Sequence, residues 1–597
     1  MTVDFDQLMN NRGLQQADAV SIESSMYPDN LTATSFYFGI AGTAQWFVPP
    51  PDCRSIHFSN DAAVWIRQDY TFPVLPGTSS TVNTNITAAA FTSTAAGGGA
   101  TANTGSTLIP AGERMLDVLP GIPITIIPAN SGAIANIACT PWRPRKGYTP
   151  YRTPADPTQV SPYRIVGQNG RLPNALNIAN ANATLMETRA YMPFVSVTPA
   201  GGNVPGRLWF LFSNSYMNSG GGGEVAAPAG ATYRAGFEIS GVSCRAIKFP
   251  SPSSGINPSA TFGLGATTTN DPTAYSPSSG EIWFGYVDLA DYALSAWPPS
   301  TDAWARLSIS FPIGSINLPG ALNAQATKAE ATAQFATFSG TGDYQYLATG
   351  PLNTTNTLGA GFGVQPVAIL GAWSANQSKL PSFGLQGDSI GDGTADANDT
   401  GTGTTSGGFL VRAARAAGFP YVKMTRGSDS YDTVRLGVNW QTRKMLYRFV
   451  TDLIDQMGLN GSTDATIASN LAYAQSLWNL ARQYGVKRIT HTAITATTSG
   501  NAASNSNWTS ATVQAPDPSN LGRNRENQIF SSMVGSPNGI DAFVDVRTPQ
   551  TDPANFNIWV STGVPQYGTA DGTHPSSSVH GFMMIPLVNQ ISRVAEY

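Results

Sequence analysis

The apolar positions of this chain change their spacing once, close to residue 369. Before that point they come in short runs, rich in β-branched and aromatic residues and bounded by Gly, Pro and Asn: 35–40, 64–67 and 124–127, then 208–212, 235–239, 282–287 and 307–311. Runs of this kind predict strands, and Pro123 and Pro128 pin the ends of the run 124–127. Beyond it, short apolar runs (421–424, 452–457, 488–494, 542–546) alternate with stretches of helical spacing (409–417, 439–449, 464–484, 525–533, 579–594). The clearest helix, 464–484, carries Ile467, Leu471, Ala474, Trp478 and Ala481 on one stripe. Ser462 or Thr463 stands ready as its N-cap and Gly485 as its stop. Strands alternating with helices imply a parallel sheet with helices on both faces. Ligands of such sheets bind beyond the C-terminal ends of the strands.

The expected fold class is therefore multidomain, with all-β sandwich or jelly-roll modules followed by a three-layer α/β domain. The boundaries read as an N-terminal arm (1–30), a β-sandwich (31–145), a Pro- and Asn-rich linker (146–185), a second sandwich or jelly roll (186–368) and the α/β domain (369–597). Within the first sandwich, residues 81–107 form an Ala/Gly/Thr/Ser/Asn tract that reads as a long loop. Several domains are what 597 residues require, because one core does not grow that large.

Composition narrows the function. Only 12% of residues are charged, and 33 Lys and Arg stand against 37 Asp and Glu, a formal charge of −4. No basic field is available to hold nucleic acid. Cys53, Cys139 and Cys244 are isolated, which argues against a disulfide framework and a zinc site. Each reads as a small buried hydrophobe. The four histidines leave no room for a histidine-rich metal centre, and no cofactor is expected. The N-terminus shows no apolar signal region, and no run is long enough for a membrane span.

Candidate chemistry gathers at the predicted strand ends. The run 383–386 leads into Gly387-Asp388-Ser389, a turn that can lift one hydroxyl clear of the sheet. Gly427 follows the next strand, where its N–H can point at a bound oxygen with no side chain in the way. Gly458-Leu459-Asn460 presents an amide side chain at the same edge. Before the last helix stand Asp571-Gly572-Thr573-His574. Asp and His three residues apart can set an imidazole beside the serine, with the carboxylate holding its tautomer. The remaining titratable groups read as structural: His491 within a strand, His57 in an N-terminal strand, His580 at the head of the last helix without a matching aspartate. Asp392 fits either the cleft or a loop cap. Trp209, Phe210, Trp283 and Tyr286 read as sandwich core.

In order and context these four motifs resemble the SGNH, or GDSL, family of serine hydrolases, over residues 365–597. The resemblance implies a flavodoxin-like parallel sheet, with Ser389 as nucleophile, His574 as general base and Asp571 as its orienter. It further implies an oxyanion hole made of the Ser389 N–H, the Gly427 N–H and the Asn460 amide. One departure stands out: the family usually carries aspartate after its asparagine, and here Gly461 follows Asn460. That aspartate supports the loop, so its absence bears on how Asn460 is aimed. A β-sandwich ahead of the catalytic domain looks like SGNH proteins that act on acylated carbohydrates. Residues 59–66 and 109–114 resemble small β-modules of bacteriophage structural proteins, which makes 31–145 an expected virion anchor and 186–368 a carbohydrate-binding-like module.

The function expected is a serine esterase, carried as a phage tail or fibre component, that removes acyl groups, O-acetyl foremost, from host surface polysaccharide. Its partners are then an acylated glycan, other virion proteins and further copies of itself, with a secreted enzyme as the alternative location. The alternative function, of a different class, is a structural or glycan-binding virion protein whose SGNH domain is weak or inert.

Overall fold

The computed structural model describes the backbone of eight strands between residues 34 and 141, and residues 155–594 apart from interspersed segments, chiefly 157–159, 179–183, 195–205, 218–222, 251–272, 299–301, 313–315, 323–333, 339–343, 353–358, 373–380, 397–406, 436–440 and 501–507. The expected arm 1–30 and the tract 81–107 lie outside the described residues, apart from Thr107, which opens a strand. The chain forms two compact units, 1–152 with 525–540 and 153–524 with 541–597.

In the first unit, strands pair into two four-stranded antiparallel sheets. One runs Thr34–Phe38, Ala133–Pro141, Cys53–Asn60, Gly112–Asp117, and the other Gln45–Phe47, Ile124–Pro128, Val64–Gln68, Thr107–Ile109. The β-branched runs of the sequence thus lie in strands, and His57 sits in the strand Cys53–Asn60.

The second unit holds a β-rich part and an α/β part. Antiparallel ladders join Arg207–Ser213 to Ile282–Asp288, and Thr232–Ile239 to Ala303–Ser310. Alternate side chains of these strands, Phe210, Phe237, Leu307 and Ile309 among them, fill one buried core. Trp209, Phe210, Trp283 and Tyr286 are all buried, so none is a platform for a sugar ring. Cys244 is a free, buried thiol whose Sγ faces the Tyr346 carbonyl at 3.2 Å.

The stretch expected to be a linker is different. It carries Tyr163–Ile165 and Asn174–Ile178, which join sandwich sheets, and Gly170–Arg171, which joins the α/β sheet. Its Pro- and Asn-rich composition predicts irregular chain, but strands of two to five residues are held by partner backbone rather than by their own propensity. At the other boundary, Ala368–Ala372 still pairs with Arg207–Ser213, so the sandwich runs past residue 369.

The α/β sheet is built from β1 (Gly170–Arg171), β2 (Phe383–Gly387), β3 (Tyr421–Thr425), β4 (Asp452–Asp455), β5 (Arg488–Thr492) and β6 (Ala542–Val544). Its order is β1-β3-β2-β4-β5-β6, and every pairing is parallel. Leaving β1 aside, this is the flavodoxin-like order, whose direction of winding reverses between β2 and β4. The helices are α1 (Ser389–Asp392), α2 (Phe409–Ala416), α3 (Tyr431–Arg435), α4 (Gln441–Tyr447), α5 (Ile467–Gln483), α6 (Asn520–Ser532) and α7 (Ser577–Val594). The predicted stripe of α5 is buried. Its N-cap, however, is Thr466 and not Ser462 or Thr463; the Thr466 hydroxyl makes no cap bond to the helix and donates instead to the Gly461 and Thr463 carbonyls. Helix α6 begins five residues before the expected start, at the turn that Asp517 caps through the Ser519 N–H.

A buried ion cluster ties α1 to the sheet. Asp392 Oδ1 lies 3.0 Å from Lys423 Nζ on β3, 2.9 Å from Thr425 Oγ1 and 3.8 Å from an Arg171 nitrogen on β1. Burial alone would raise the Asp392 carboxyl, but Lys423 and Arg171 outweigh it and hold it below the usual carboxylate range. This settles Asp392 as a structural residue. Asp392→Ala leaves two buried cations without their shared carboxylate, and a loss of about 3–5 kcal/mol is expected. Urea unfolding followed by tryptophan fluorescence reads it; an unchanged midpoint contradicts the assignment.

Candidate active site

Ser389, Gly427 and Asn460 follow β2, β3 and β4, which are neighbours in the sheet. Parallel strands in register end at one edge, so three segments far apart in sequence deliver their polar groups to one place. There, Asp388 caps α1: its Oδ1 accepts the Ile390 N–H at 2.9 Å. Gln456, just past β4, uses a single carbonyl oxygen to accept the N–H groups of Asp388 (3.2 Å) and Gly391 (2.7 Å). The Ser389 N–H, between these three, has no intramolecular acceptor among the described residues. A backbone donor is thereby left pointing out of the turn beside the serine hydroxyl. Full burial pushes the Asp388 carboxyl up to about 7.

The imidazole arrives from the turn before α7. His574 Nε2 lies 2.9 Å from Ser389 Oγ, and His574 Nδ1 lies 2.6 Å from Asp571 Oδ2. Asp571 Oδ1 also accepts the N–H groups of Thr573 and His574, both at 2.8 Å. Partial burial would raise the Asp571 carboxyl, but the hydrogen bonds from the His574 ring and these two N–H groups dominate and hold it far below the usual range. A carboxylate accepting from Nδ1–H leaves Nε2 free to accept the serine proton.

The turn is held from several sides. Thr569 Oγ1 donates to the His574 carbonyl at 2.8 Å and accepts the Gly572 N–H at 2.9 Å. The Gly572 carbonyl accepts the Trp559 indole N–H at 2.9 Å and the Thr498 N–H at 2.8 Å. Gly572 has φ 81°, and a Cβ there would fall 2.1 Å from the Thr498 carbonyl oxygen, so only glycine fits. Trp508 closes the same side, its indole N–H 3.3 Å from the Ala570 carbonyl.

Gly427 faces Ser389: a methyl in place of its hydrogen would stand 4.0 Å from the Ser389 Cβ. The Asn460 amide donates to the Asp429 carbonyl at 2.9 Å, which fixes its plane. Gly461 has φ 83°, a left-handed conformation that glycine adopts without steric cost. The aiming of Asn460 is here shared with Asp429, a residue not singled out in the sequence.

The other histidines are engaged elsewhere. His580 Nδ1 accepts the Phe409 N–H at 3.2 Å and its ring lies over Phe409; burial holds its pKa below the ordinary value. His491 is fully buried, with Nε2 2.9 Å from the Tyr431 hydroxyl, which in turn donates to Asp455 Oδ2 at 3.0 Å. Neither lies beside Ser389 in this hydrogen-bond pattern. Gln456, Asp429 and Thr569 are the site residues that sequence reasoning passed over. For Gln456 the available signal was a polar residue at the end of an apolar run, two positions before Gly458.

Among the described residues, no helix is long and apolar enough to cross a membrane and no acidic, His or Cys cluster could hold a metal ion. No family model and no curated protein matches this chain. Among solved structures it is similar to a family two carbohydrate esterase from Clostridium thermocellum in complex with cellohexaose, at 12% identity and a TM-score of 0.28, over 72% of this chain and 98% of that one. It is also similar to a family two carbohydrate esterase from Cellvibrio japonicus, at 11% identity and a TM-score of 0.24, over 71% and 99% of the two chains. A third likeness is to the lipase/acylhydrolase from Enterococcus faecalis, at 12% identity and a TM-score of 0.24, over 36% and 96%.

Proposed function

We propose that this chain is a serine carboxylic ester hydrolase. The observation that carries the reading is the unbroken line Ser389 Oγ–His574 Nε2, His574 Nδ1–Asp571 Oδ2, at 2.9 and 2.6 Å. In this reading Ser389 Oγ attacks the acyl carbon while His574 Nε2 takes its proton. Asp571 holds the Nδ1–H and stabilises the imidazolium that forms. The carbonyl oxygen, now carrying charge, is received by the Ser389 N–H, the Gly427 N–H and the Asn460 amide. Each such donor is worth about 3 kcal/mol when it is preorganised. His574 then passes its proton to the departing alkoxide, leaving the acyl group on Ser389. A water, deprotonated by the same nitrogen, attacks the acyl carbon; the acyl–Oγ bond then breaks, His574 returns the proton to Ser389 Oγ, and the carboxylic acid leaves.

The substrate class is proposed as acylated polysaccharide, O-acetyl esters foremost, and the setting as a phage tail or fibre. What supports this finer part is composition and architecture: a low-charge chain of 12% Asp, Glu, Lys and Arg, with antiparallel sheets ahead of the α/β domain. The inert-domain alternative draws its support from Gly461 and from the low-charge composition, and the hold of the Asp429 carbonyl on Asn460 offsets the first of these.

Ser389→Ala is expected to abolish hydrolysis of a chromogenic acetate ester and to leave the thermal unfolding curve in place. Equal turnover by the variant sinks the esterase reading. The acid limb supplies a second test. Asp571 is held far below the usual carboxylate range and stays ionised, so its own protonation does not shape that limb. Loss of the general base on that limb is expected to lower kcat/KM by at least about tenfold per pH unit; a flat profile contradicts the assignment. For the setting, mass spectrometry of purified phage particles is expected to find the chain. Its recovery only as free protein in culture medium favours the secreted alternative.

A further inference from the structure

We infer that the β-sandwich is a working part of the oxyanion hole: from one row of one sheet, Glu224 and Asn174 hold the two loops that carry the Asn460 and Gly427 donors. The inference rests on the esterase reading above.

The row is set by strand register. Asn174 pairs with Met217, and Met217 pairs with Glu224, so the three stand side by side across adjacent strands. Glu224 is buried and directs its carboxylate at the first turn of α4. Its two oxygens accept the Thr442 N–H at 3.0 Å and the Arg443 N–H at 3.1 Å, and the Thr442 hydroxyl at 2.8 Å. Burial raises this carboxyl, and the hydrogen bonds from Thr442 and Arg443 work against that rise. An apolar side chain fills a buried strand position at less cost than a carboxylate does. A carboxylate retained there answers to what it holds.

What it holds leads to the site. Arg443 donates from Nη2 to Asp429 Oδ2 at 2.6 Å, with both side chains almost wholly buried. The carbonyl of that same Asp429 is the acceptor that fixes the Asn460 amide, at 2.9 Å. Glu224 sets the helix turn, the turn sets the root of Arg443, Arg443 sets Asp429, and Asp429 aims Asn460. This chain of contacts supplies a support for Asn460 where Gly461 has no side chain to offer.

The second hold is shorter. Arg426, next to Gly427, donates from Nη1 to Asn174 Oδ1 at 2.8 Å, and its backbone N–H donates to the Gly387 carbonyl at 2.9 Å. The loop that presents the Gly427 N–H is thereby tied to the sandwich on one side and to the nucleophile strand on the other. Glu224, Asn174, Arg443 and Asp429 are positioning residues, since none is placed to touch the acyl group.

The test is a double-variant cycle on the full chain, with a chromogenic acetate ester as substrate. Glu224→Ala is expected to lower kcat by about ten- to a hundredfold, the range that a small misplacement of a catalytic group commands, with KM unchanged. Asn460→Ala removes the donor itself and is expected to cost about a hundred- to a thousandfold. Because Glu224 acts through that amide, adding Glu224→Ala to Asn460→Ala is expected to cost nothing further in kcat. Losses that multiply in the double variant, or a Glu224→Ala that shifts only the melting temperature, overturn the inference. Should Glu224→Ala fail to accumulate folded, Glu224→Gln, which keeps one acceptor oxygen, runs the same cycle with a smaller expected loss. Ser389→Ala is assayed alongside. If turnover does not depend on Ser389, the esterase reading itself falls. If turnover is serine-dependent and the cycle is additive, only the role given to the sandwich falls.

Discussion

Parallel pairing of β3, β2 and β4 is the constraint on which the rest of the site depends. Phe383 pairs with Tyr421 on one side and with Asp452 on the other, and the ladders run on from there in register. Three strand ends therefore emerge level, and the residues just beyond them, Ser389, Gly427 and Asn460, lie at one edge of the sheet. Parallel sheets need both faces covered and crossover helices between strands. Those helices are what leave the C-terminal edge free of hairpin turns and open to a ligand.

A level edge does not by itself aim a donor, and the aiming is done by buried polar groups. Gln456 occupies the N–H groups on either side of the serine, and Asp388 occupies that of Ile390. Beneath them Asp455 receives the Trp478 indole N–H at 2.7 Å and the Tyr431 hydroxyl at 3.0 Å. Groups of this kind are costly to bury unless every partner is present. The bonds that Gln456 Oε1 and Asp388 Oδ1 do accept fix the turn above them. The histidine turn obeys the same logic at a half-exposed place, where Thr569, Trp559 and Thr498 hold backbone atoms while the Asp571 side chain stays accessible to water.

The β-rich part and the α/β part are joined by backbone as well as by side chains. The Tyr421 N–H is donated to the Gly167 carbonyl at 3.1 Å, the Leu172 N–H to the Lys423 carbonyl at 3.0 Å, and the Ile165 N–H to the Phe449 carbonyl at 2.8 Å. Strand β1 caps the sheet edge beside β3, which removes an unpaired edge that an α/β domain of this order would otherwise expose. The two parts form one compact unit, in keeping with these shared hydrogen bonds.

The sequence by itself determined the change from antiparallel strands to alternating strands and helices, because side-chain periodicity is a local property that each segment carries alone. It also marked the polar residues at the strand ends, through the order in which Gly387-Asp388-Ser389, Gly427, Gly458-Leu459-Asn460 and Asp571-Gly572-Thr573-His574 follow one another along the chain. Only the tertiary structure decided which of these groups meet. His574 lies 185 residues from Ser389, and a distance of 2.9 Å between them is set by the packing of α7 and its turn and not by any local preference. The short strands within 146–185, and the grip of Glu224 on α4, were illegible for a related reason. A two-residue strand and a lone buried carboxylate have no periodicity to read, and each exists because a distant segment supplies its hydrogen-bond partners.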